Sequence, residues 1–259
     1  MIKLKRALLI IDRGSREQEV SVELQNICSM VKFKAGYHYA DYCFLEVLPP
    51  FIEEGIKKCL DNRVDCITVM PYFLYPGMKL KDSVKQTARI AHISNLKIVI
   101  TKALSYHSLM TSILVDRINH IKNEKKIRYP NSVCDILVIG HGSSDKRARD
   151  AFIYTVNTLK PIYRNVDFCF LELDKPDIEH GIKTVLQKRP KIILLIPYFL
   201  HKGAHVKRDI IKDVNLALGK YGFKNAFMAK HIGVDQKVVD IILERATEAE
   251  NRRNDFLQK

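Results

Sequence analysis

Cys43-Phe44-Leu45-Glu46 returns 126 residues later as Cys169-Phe170-Leu171-Glu172, and this repeated stretch decides the fold. The same shift aligns further residues, namely Pro50 with Pro176, Ile52 with Ile178, Glu53 with Glu179, Gly55 with Gly181 and Ile56 with Ile182. It also aligns Pro71-Tyr72-Phe73-Leu74 with Pro197-Tyr198-Phe199-Leu200. Because solenoid repeats are only about 20–50 residues long, this spacing predicts two copies of one domain in a single chain.

Each copy alternates short apolar runs with longer amphipathic stretches, which is typical of a parallel sheet covered by helices. The predicted strands are residues 7–11, 42–45, 66–74 and 97–101 in the first copy and 134–139, 166–171, 192–200 and 226–229 in the second. We therefore predict an α/β fold with two tandem domains, residues 1–127 and 132–259, each a four-stranded parallel sheet flanked by helices. The polar run from Glu244 predicts a solvated helix end or a disordered tail.

The composition, with 47% apolar and 28% charged residues, is typical of a globular protein and excludes a collagen-like, coiled-coil or disordered chain. The apolar runs are far shorter than the roughly 20 residues of a membrane helix. The N-terminus is basic, but the apolar segment after it is too short for a signal peptide. We therefore expect a cytoplasmic protein. The six cysteines form no C-x-x-C pair, which predicts small core residues rather than disulfides or a structural zinc site.

The formal net charge of +14 is the one unusual global property. Such an excess favours an anionic partner, either a nucleic acid, an acidic membrane surface or a polyacidic small molecule. A compositional bias towards lysine along every segment explains it equally well. Because the chain contains no nucleic-acid-binding signature and its basic residues are dispersed, we expect no nucleic-acid partner.

Three potential metal ligands of the second copy follow the ends of predicted strands: His141, Glu172 and His205. In an open parallel sheet, ligands bind beyond the carboxyl ends of the strands, and right-handed crossovers can place the second and third strands on either side of the first. Two imidazoles and a carboxylate suit Fe²⁺, Co²⁺, Ni²⁺ or Zn²⁺ and leave coordination positions open. Two alternatives stay open: Gly142-Ser143-Ser144-Asp145 also fits an ordinary strand-to-helix turn with a Ser N-cap, and Glu172 also fits an ion pair with a neighbouring basic residue.

Three elements in order resemble the sirohydrochlorin chelatase family, the class II chelatases that insert Fe²⁺ or Co²⁺ into a modified tetrapyrrole. They are Gly140-His141-Gly142-Ser143-Ser144, Phe170-Leu171-Glu172 and the stretch from Pro197-Tyr198-Phe199-Leu200 through Gly203-x-His205-x-x-x-Asp209. Both halves show the resemblance, so it covers nearly the whole chain. It implies two Rossmann-like domains that face each other across a cleft.

The resemblance also implies roles for the candidate ligands. His141 and His205 are the expected metal-handling histidines and proton acceptors, with Glu172 as the carboxylate beside them. The metal is then a substrate, and no permanent cofactor is expected. Neutral imidazole is suited to act both as base and as transient ligand. The chain has neither a G-x-x-x-x-G-K-[ST] loop nor a full G-x-G-x-x-G motif, which argues against a nucleotide-dependent enzyme.

The first copy departs from this pattern, because Arg13 stands where His141 does and Lys79 stands where His205 does, while Glu46 keeps its place. Arginine does not lose its proton at any relevant pH, and fixed cations repel a divalent metal. We therefore predict that the first half binds no metal. Glu46 is interpreted as a salt-bridge partner of Arg13 or Lys79. Alternatively, both cations bind carboxylates of the substrate.

The expected partner is sirohydrochlorin, whose carboxylate rim would give the basic excess a specific use. The candidate substrate-binding residues are Ser143, Lys202, Lys207, Arg208, Arg13 and Lys79. We expect insertion of Fe²⁺ to make sirohaem, because the fused two-domain form resembles the ferrochelatases of that pathway. A cobaltochelatase, a nickelochelatase and a non-catalytic metal or tetrapyrrole carrier remain alternatives. One chain supplies both copies, so a monomer with no membrane or nucleic-acid partner is expected.

Overall fold

The computed structural model describes residues 4–94, 97–201, 203 and 208–252. In this part of the chain, strands and helices alternate from end to end. The strands are β1 (Arg6–Asp12), β2 (Tyr39–Phe44), β3 (Cys66–Pro71), β4 (Ile98–Ile100), β5 (Asp135–Gly140), β6 (Asn165–Phe170), β7 (Ile193–Pro197) and β8 (Ala226–Met228). The helices are α1 (Gln18–Ala35), α2 (Ile52–Asp61), α3 (Met78–Ser94), α4 (Ser108–Glu124), α5 (Lys146–Leu159), α6 (Ile178–Gln187), α7 (Ile210–Lys220) and α8 (Gln236–Asn251).

The strands form two parallel four-stranded sheets with the orders β2-β1-β3-β4 and β6-β5-β7-β8. The predicted α/β fold with two four-stranded parallel sheets is confirmed. In each sheet the first strand lies between the second and the third, an order that right-handed crossovers allow. Ile139 of β5 is in register with Cys169 of β6 and Pro197 of β7. The carboxyl ends of these three strands therefore lie side by side.

The repeated glycine of the second helix in each copy is explained by close packing on the sheet. A Cβ at Gly55 would lie 2.7 Å from the Cβ of Cys43, and one at Gly181 would lie 2.6 Å from that of Cys169. Only glycine lets α2 and α6 approach their strands this closely. All six cysteines are buried, free thiols, which confirms their interpretation as small core residues. No helix in the described part of the chain is long and apolar enough to span a membrane.

The compact units of the chain differ from the predicted domains, residues 1–127 and 132–259. The first unit comprises residues up to Ser105 together with those from Val234 onward, and the second runs from Tyr106 to Gly233. Helix α8 packs on β3, β4 and α1, whereas α4 packs on α5 and β7. The last helix of each sequence copy thus covers the sheet of the other copy. Because the two sheets are built alike, the apolar pattern of a helix does not reveal which one it covers.

A buried carboxylate anchors α8 in the first unit. Glu250 is only 4% exposed and accepts hydrogen bonds from the Tyr37 hydroxyl at 2.8 Å, the Thr68 hydroxyl at 2.6 Å and the Arg6 guanidinium at 2.6 Å. Burial, and then the charge of Glu250, raise the pKa of Tyr37 well above its usual range, so its hydroxyl stays a donor. The stretch from Glu244 to Asn251 is a helix end, as one of the two predictions had it, but it is only partly solvated, because Arg245 and Glu250 are buried.

Replacing Glu250 with Ala should lower the free energy of unfolding by about 3 kcal/mol, because it leaves a partly buried guanidinium and two buried hydroxyls without their acceptor. Urea denaturation of the full chain measures this. Thr247→Ala, an exposed change on the same helix, should shift stability by no more than about 0.5 kcal/mol. Equal effects of the two substitutions would contradict the anchoring role.

Candidate metal site and its charged counterpart

Backbone hydrogen bonds place Glu172 beside His141 at the carboxyl edge of the second sheet. His141 directly follows β5, and the parallel ladder continues past the strands, since Leu171 N donates to Gly140 O and Glu172 N donates to His141 O, each at 2.9 Å. Gly142 has φ +92°, and a Cβ there would overlap the carbonyl oxygen of Glu172. The glycine after the histidine is therefore required by this close approach.

The side chains of His141 and Glu172 face each other across a short gap. His141 Nε2 lies 4.0 Å from Glu172 Oε1, and the two side chains are 30% and 44% exposed. The imidazole lies near the ring of Phe199, with ring centroids 6.3 Å apart and ring planes inclined by 60°. Two metal bonds of about 2.0–2.2 Å at octahedral or tetrahedral angles place their donor atoms roughly 3–3.6 Å apart, slightly closer than these atoms lie. A small rotation of either side chain would let the pair share one divalent ion that remains accessible to solvent.

The third predicted ligand, His205, lies outside the described residues, as do Lys202 and Lys207. Within the ranges that the structure covers, no group of three or more His, Cys, Asp or Glu side chains is arranged to hold a metal. The structure thus brings together two of the three predicted ligands.

The equivalent position in the first unit holds an ion-pair triad. Glu46 N donates to Arg13 O at 3.1 Å, which repeats the backbone contact of the second unit. The Arg13 Nε donates to Glu46 Oε1 at 2.8 Å, and Lys79 Nζ donates to Glu46 Oε2 at 2.6 Å. The predicted salt bridge of Glu46 with Arg13 or Lys79 is therefore found with both. The hydrogen bond from Lys79, supported by Arg13, holds the pKa of the Glu46 carboxyl below its usual value despite partial burial.

Two other candidate substrate-binding residues, Ser143 and Arg208, lie just before α5 and α7 respectively. Ser143 Oγ accepts a hydrogen bond from Asp145 N at 3.1 Å. The N-cap of α5 is Asp145, whose carboxylate accepts from Arg147 N. The predicted Ser N-cap is therefore wrong, because the aspartate that follows Ser143 and Ser144 caps the helix. Arg208 is exposed just before α7.

Sequence reasoning missed the contacts that fix the segment after Glu172. Arg149 of α5 pairs with Asp174 and lies over the ring of Phe170, 5.4 Å from its centroid. Leu173, between Glu172 and Asp174, has a positive φ of 58°, as its counterpart Val47 has at 78°. The only signal in the sequence is that an apolar residue follows the carboxylate in both copies.

In the full chain, Lys79→Met should raise the pKa of Glu46, because the first of its two cations is lost. Because the pKa of Glu46 is lowered, its ion pairs are fully formed above the ordinary glutamate pKa. They are lost as the pH falls through the lowered pKa. Carboxyl-detected NMR titration measures the midpoint before and after the change. Lys81→Met, two residues further along α3, serves as the matched control and should leave the midpoint unchanged. A Glu46 midpoint that is the same in both variants would disprove the triad.

Known proteins resemble this chain over both copies. The CbiX family model matches residues 7–121 and 135–249. A sirohydrochlorin ferrochelatase of Priestia megaterium is 31% identical over 201 residues, which are 76% of this chain and 74% of that protein. A sirohydrochlorin cobaltochelatase of the same organism is 25% identical over 250 residues, 94% of this chain and 79% of its own length. SirB from Bacillus subtilis, solved with Fe³⁺, has a TM-score of 0.81 at 23% identity and covers 98% of this chain and 99% of its own, which shows the same fold.

Proposed function

This chain belongs to the CbiX family, and we propose that it is a sirohydrochlorin chelatase whose substrate metal is Fe²⁺. The observation that carries the proposal is the juxtaposition of His141 and Glu172, 4.0 Å apart at the carboxyl edge of the second sheet. The names of the relatives support the substrate and the reaction class. Both chemical groups suit a divalent first-row metal that must be released after binding.

Metal insertion requires that two pyrrole N–H bonds of the free tetrapyrrole break as bonds from nitrogen to the metal form. Two protons therefore leave the ring for each divalent ion that enters it. His141, as a neutral imidazole, accepts a proton at Nε2 or binds the incoming metal at that atom. Glu172 balances the charge of the metal while its water ligands are exchanged. His205 is proposed as the third group of this set.

The basic residues are proposed to bind the carboxylate rim of the substrate. Arg13 and Lys79 remain 56% and 44% exposed although both contact Glu46, so their heads are reachable from solvent. Arg208 is exposed at the start of α7. Ser143, Lys202 and Lys207 complete the proposed set. Exposed positive charge of this kind would attract a polyanion and accelerate its capture.

Cobalt is the second candidate metal, because the relative that aligns with 94% of this chain is named a cobaltochelatase. Nitrogen and carboxylate ligands bind Co²⁺ more tightly than Fe²⁺, so affinity alone does not select iron. To decide between Fe²⁺ and Co²⁺, the rate of metal insertion is measured anaerobically with each ion at the same free concentration. A faster rate with Co²⁺ at every concentration would replace the iron assignment.

His141→Ala and His205→Ala should each reduce metal insertion by about 100-fold, the scale of losing a positioned acid–base group. The rate is followed by the spectral change of sirohydrochlorin with excess metal, at catalytic protein concentrations that exclude a mere carrier. His120→Ala, at a 55% exposed histidine of α4, is the matched control and should retain full activity. Near-wild-type rates in both site variants would refute the assignment.

The Michaelis constant for sirohydrochlorin should rise with ionic strength if basic residues hold its carboxylates. Raising the salt from 0.1 to 1 M shortens the Debye length from about 10 to about 3 Å, which screens these attractions. Arg208→Glu should mimic the effect and change kcat less, because the contact is the same in ground and transition states. If the Michaelis constant does not change between 0.1 and 1 M salt, and Arg208→Glu has unaltered kinetics, the net charge of +14 is a compositional bias.

A further inference from the structure

The residue after the site carboxylate has an unusual backbone conformation in both units. Val47 and Leu173 have φ values of +78° and +58°, in the left-handed region that L-residues with large side chains rarely adopt. Positive φ values at Arg63, Lys126 and Arg189 lie just beyond the ends of α2, α4 and α6, where a left-handed residue commonly terminates a helix. Val47 and Leu173 follow strands, so helix termination does not account for them.

The Leu173 side chain is also exposed to an unusual degree. It is 69% exposed, although a loop that needs only a left-handed turn is better served by glycine or asparagine. Its neighbours are held in place: Glu172 by the backbone bond to His141, and Asp174 by Arg149. The structure therefore leaves an aliphatic side chain largely exposed directly after the candidate ligand Glu172, on a segment whose neighbouring residues are held by contacts.

Conformational strain and exposed apolar surface are both unfavourable, and they cluster at functional sites where a ligand uses them. The ligand that fits must offer an apolar face to Leu173 and reach a metal at His141 and Glu172 with polar atoms. A flat macrocycle with nitrogen atoms at its centre has this combination. A small hydrated ion alone would not use the leucine.

We propose that Leu173 contacts the apolar face of the tetrapyrrole and positions its central nitrogens over the metal bound at His141 and Glu172. This inference rests on the proposed function and adds a substrate-positioning residue to it. Positioning of this kind makes insertion effectively intramolecular. The strained backbone directs the side chain towards the ligand instead of towards the core of the second unit.

Three substitutions at one position separate this role from a purely structural turn. Leu173→Gly removes the side chain and fits the positive φ without strain, and Leu173→Asn also tolerates this conformation but is polar. Both variants should therefore fold at least as stably as the wild type. Leu173→Met keeps an apolar side chain of similar volume and should restore the function. Leu216→Ala, at a leucine of α7 that is 63% exposed, is the control for loss of surface apolar area elsewhere in the same unit.

The first measurement is equilibrium binding of metal-free sirohydrochlorin, followed by its fluorescence with no metal added. Leu173→Gly and Leu173→Asn should weaken binding about tenfold, which is the scale of burying one aliphatic side chain. Leu173→Met and Leu216→Ala should bind as the wild type does. In steady-state insertion assays, the Michaelis constant should rise in the glycine and asparagine variants by more than kcat falls.

Unchanged binding in the glycine and asparagine variants, with a wild type that binds and metallates sirohydrochlorin, would overturn the role of Leu173 and leave the chelatase function standing. A wild type that binds the free tetrapyrrole but inserts no metal would overturn the proposed reaction, and weakened binding in the same variants would still support the contact. A wild type that does not bind sirohydrochlorin at all would overturn both.

Discussion

The site depends on one backbone hydrogen bond in each unit. It joins the glutamate two residues beyond the second strand to the residue that directly follows the first strand. Glu172 N donates to His141 O, and Glu46 N donates to Arg13 O. Each bond extends the parallel hydrogen-bond ladder just past the ends of the strands. The glutamate carboxylate is therefore brought beside the side chain of His141 in one unit and of Arg13 in the other. Glycine at Gly14 and Gly142 keeps this approach open, because a Cβ at either would overlap the carbonyl oxygen of the glutamate.

The same backbone arrangement therefore presents chemically different side chains in the two units. In the second unit it presents an imidazole and a carboxylate at solvent-accessible positions, the pair that we propose as metal ligands. In the first unit a guanidinium and an ammonium group neutralise the carboxylate, so Glu46 contributes no net attraction for a metal. Duplication explains this difference. With the proposed ligands in the second copy, the first copy carries cations at the equivalent positions and keeps the same backbone contact.

The exchange of the last helices shows a second consequence of duplication. Two similar sheets offer similar apolar faces, so either can accept an amphipathic helix from either copy. The buried network around Glu250 supplies the discrimination, because its partners Arg6, Tyr37 and Thr68 all belong to the first unit. A buried carboxylate without these donors would be strongly unfavourable. Polar contacts thus select the partner that hydrophobic burial alone leaves undetermined.

The sequence by itself determined the two copies, the parallel sheets and the position of His141 and Glu172 at strand ends, because these follow from periodicity and from spacing along the chain. It allowed a central first strand, which the structure shows. It also predicted that Glu46 pairs with Arg13 or Lys79, because these cations occupy the positions that His141 and His205 occupy beside Glu172 in the second copy. Only the tertiary structure decided which sheet each last helix covers, that the polar end of α8 is buried, and that Leu173 is held exposed in a left-handed conformation. Each of these depends on contacts between residues far apart in the chain or on a backbone angle, and neither leaves a periodic signal in the order of residues.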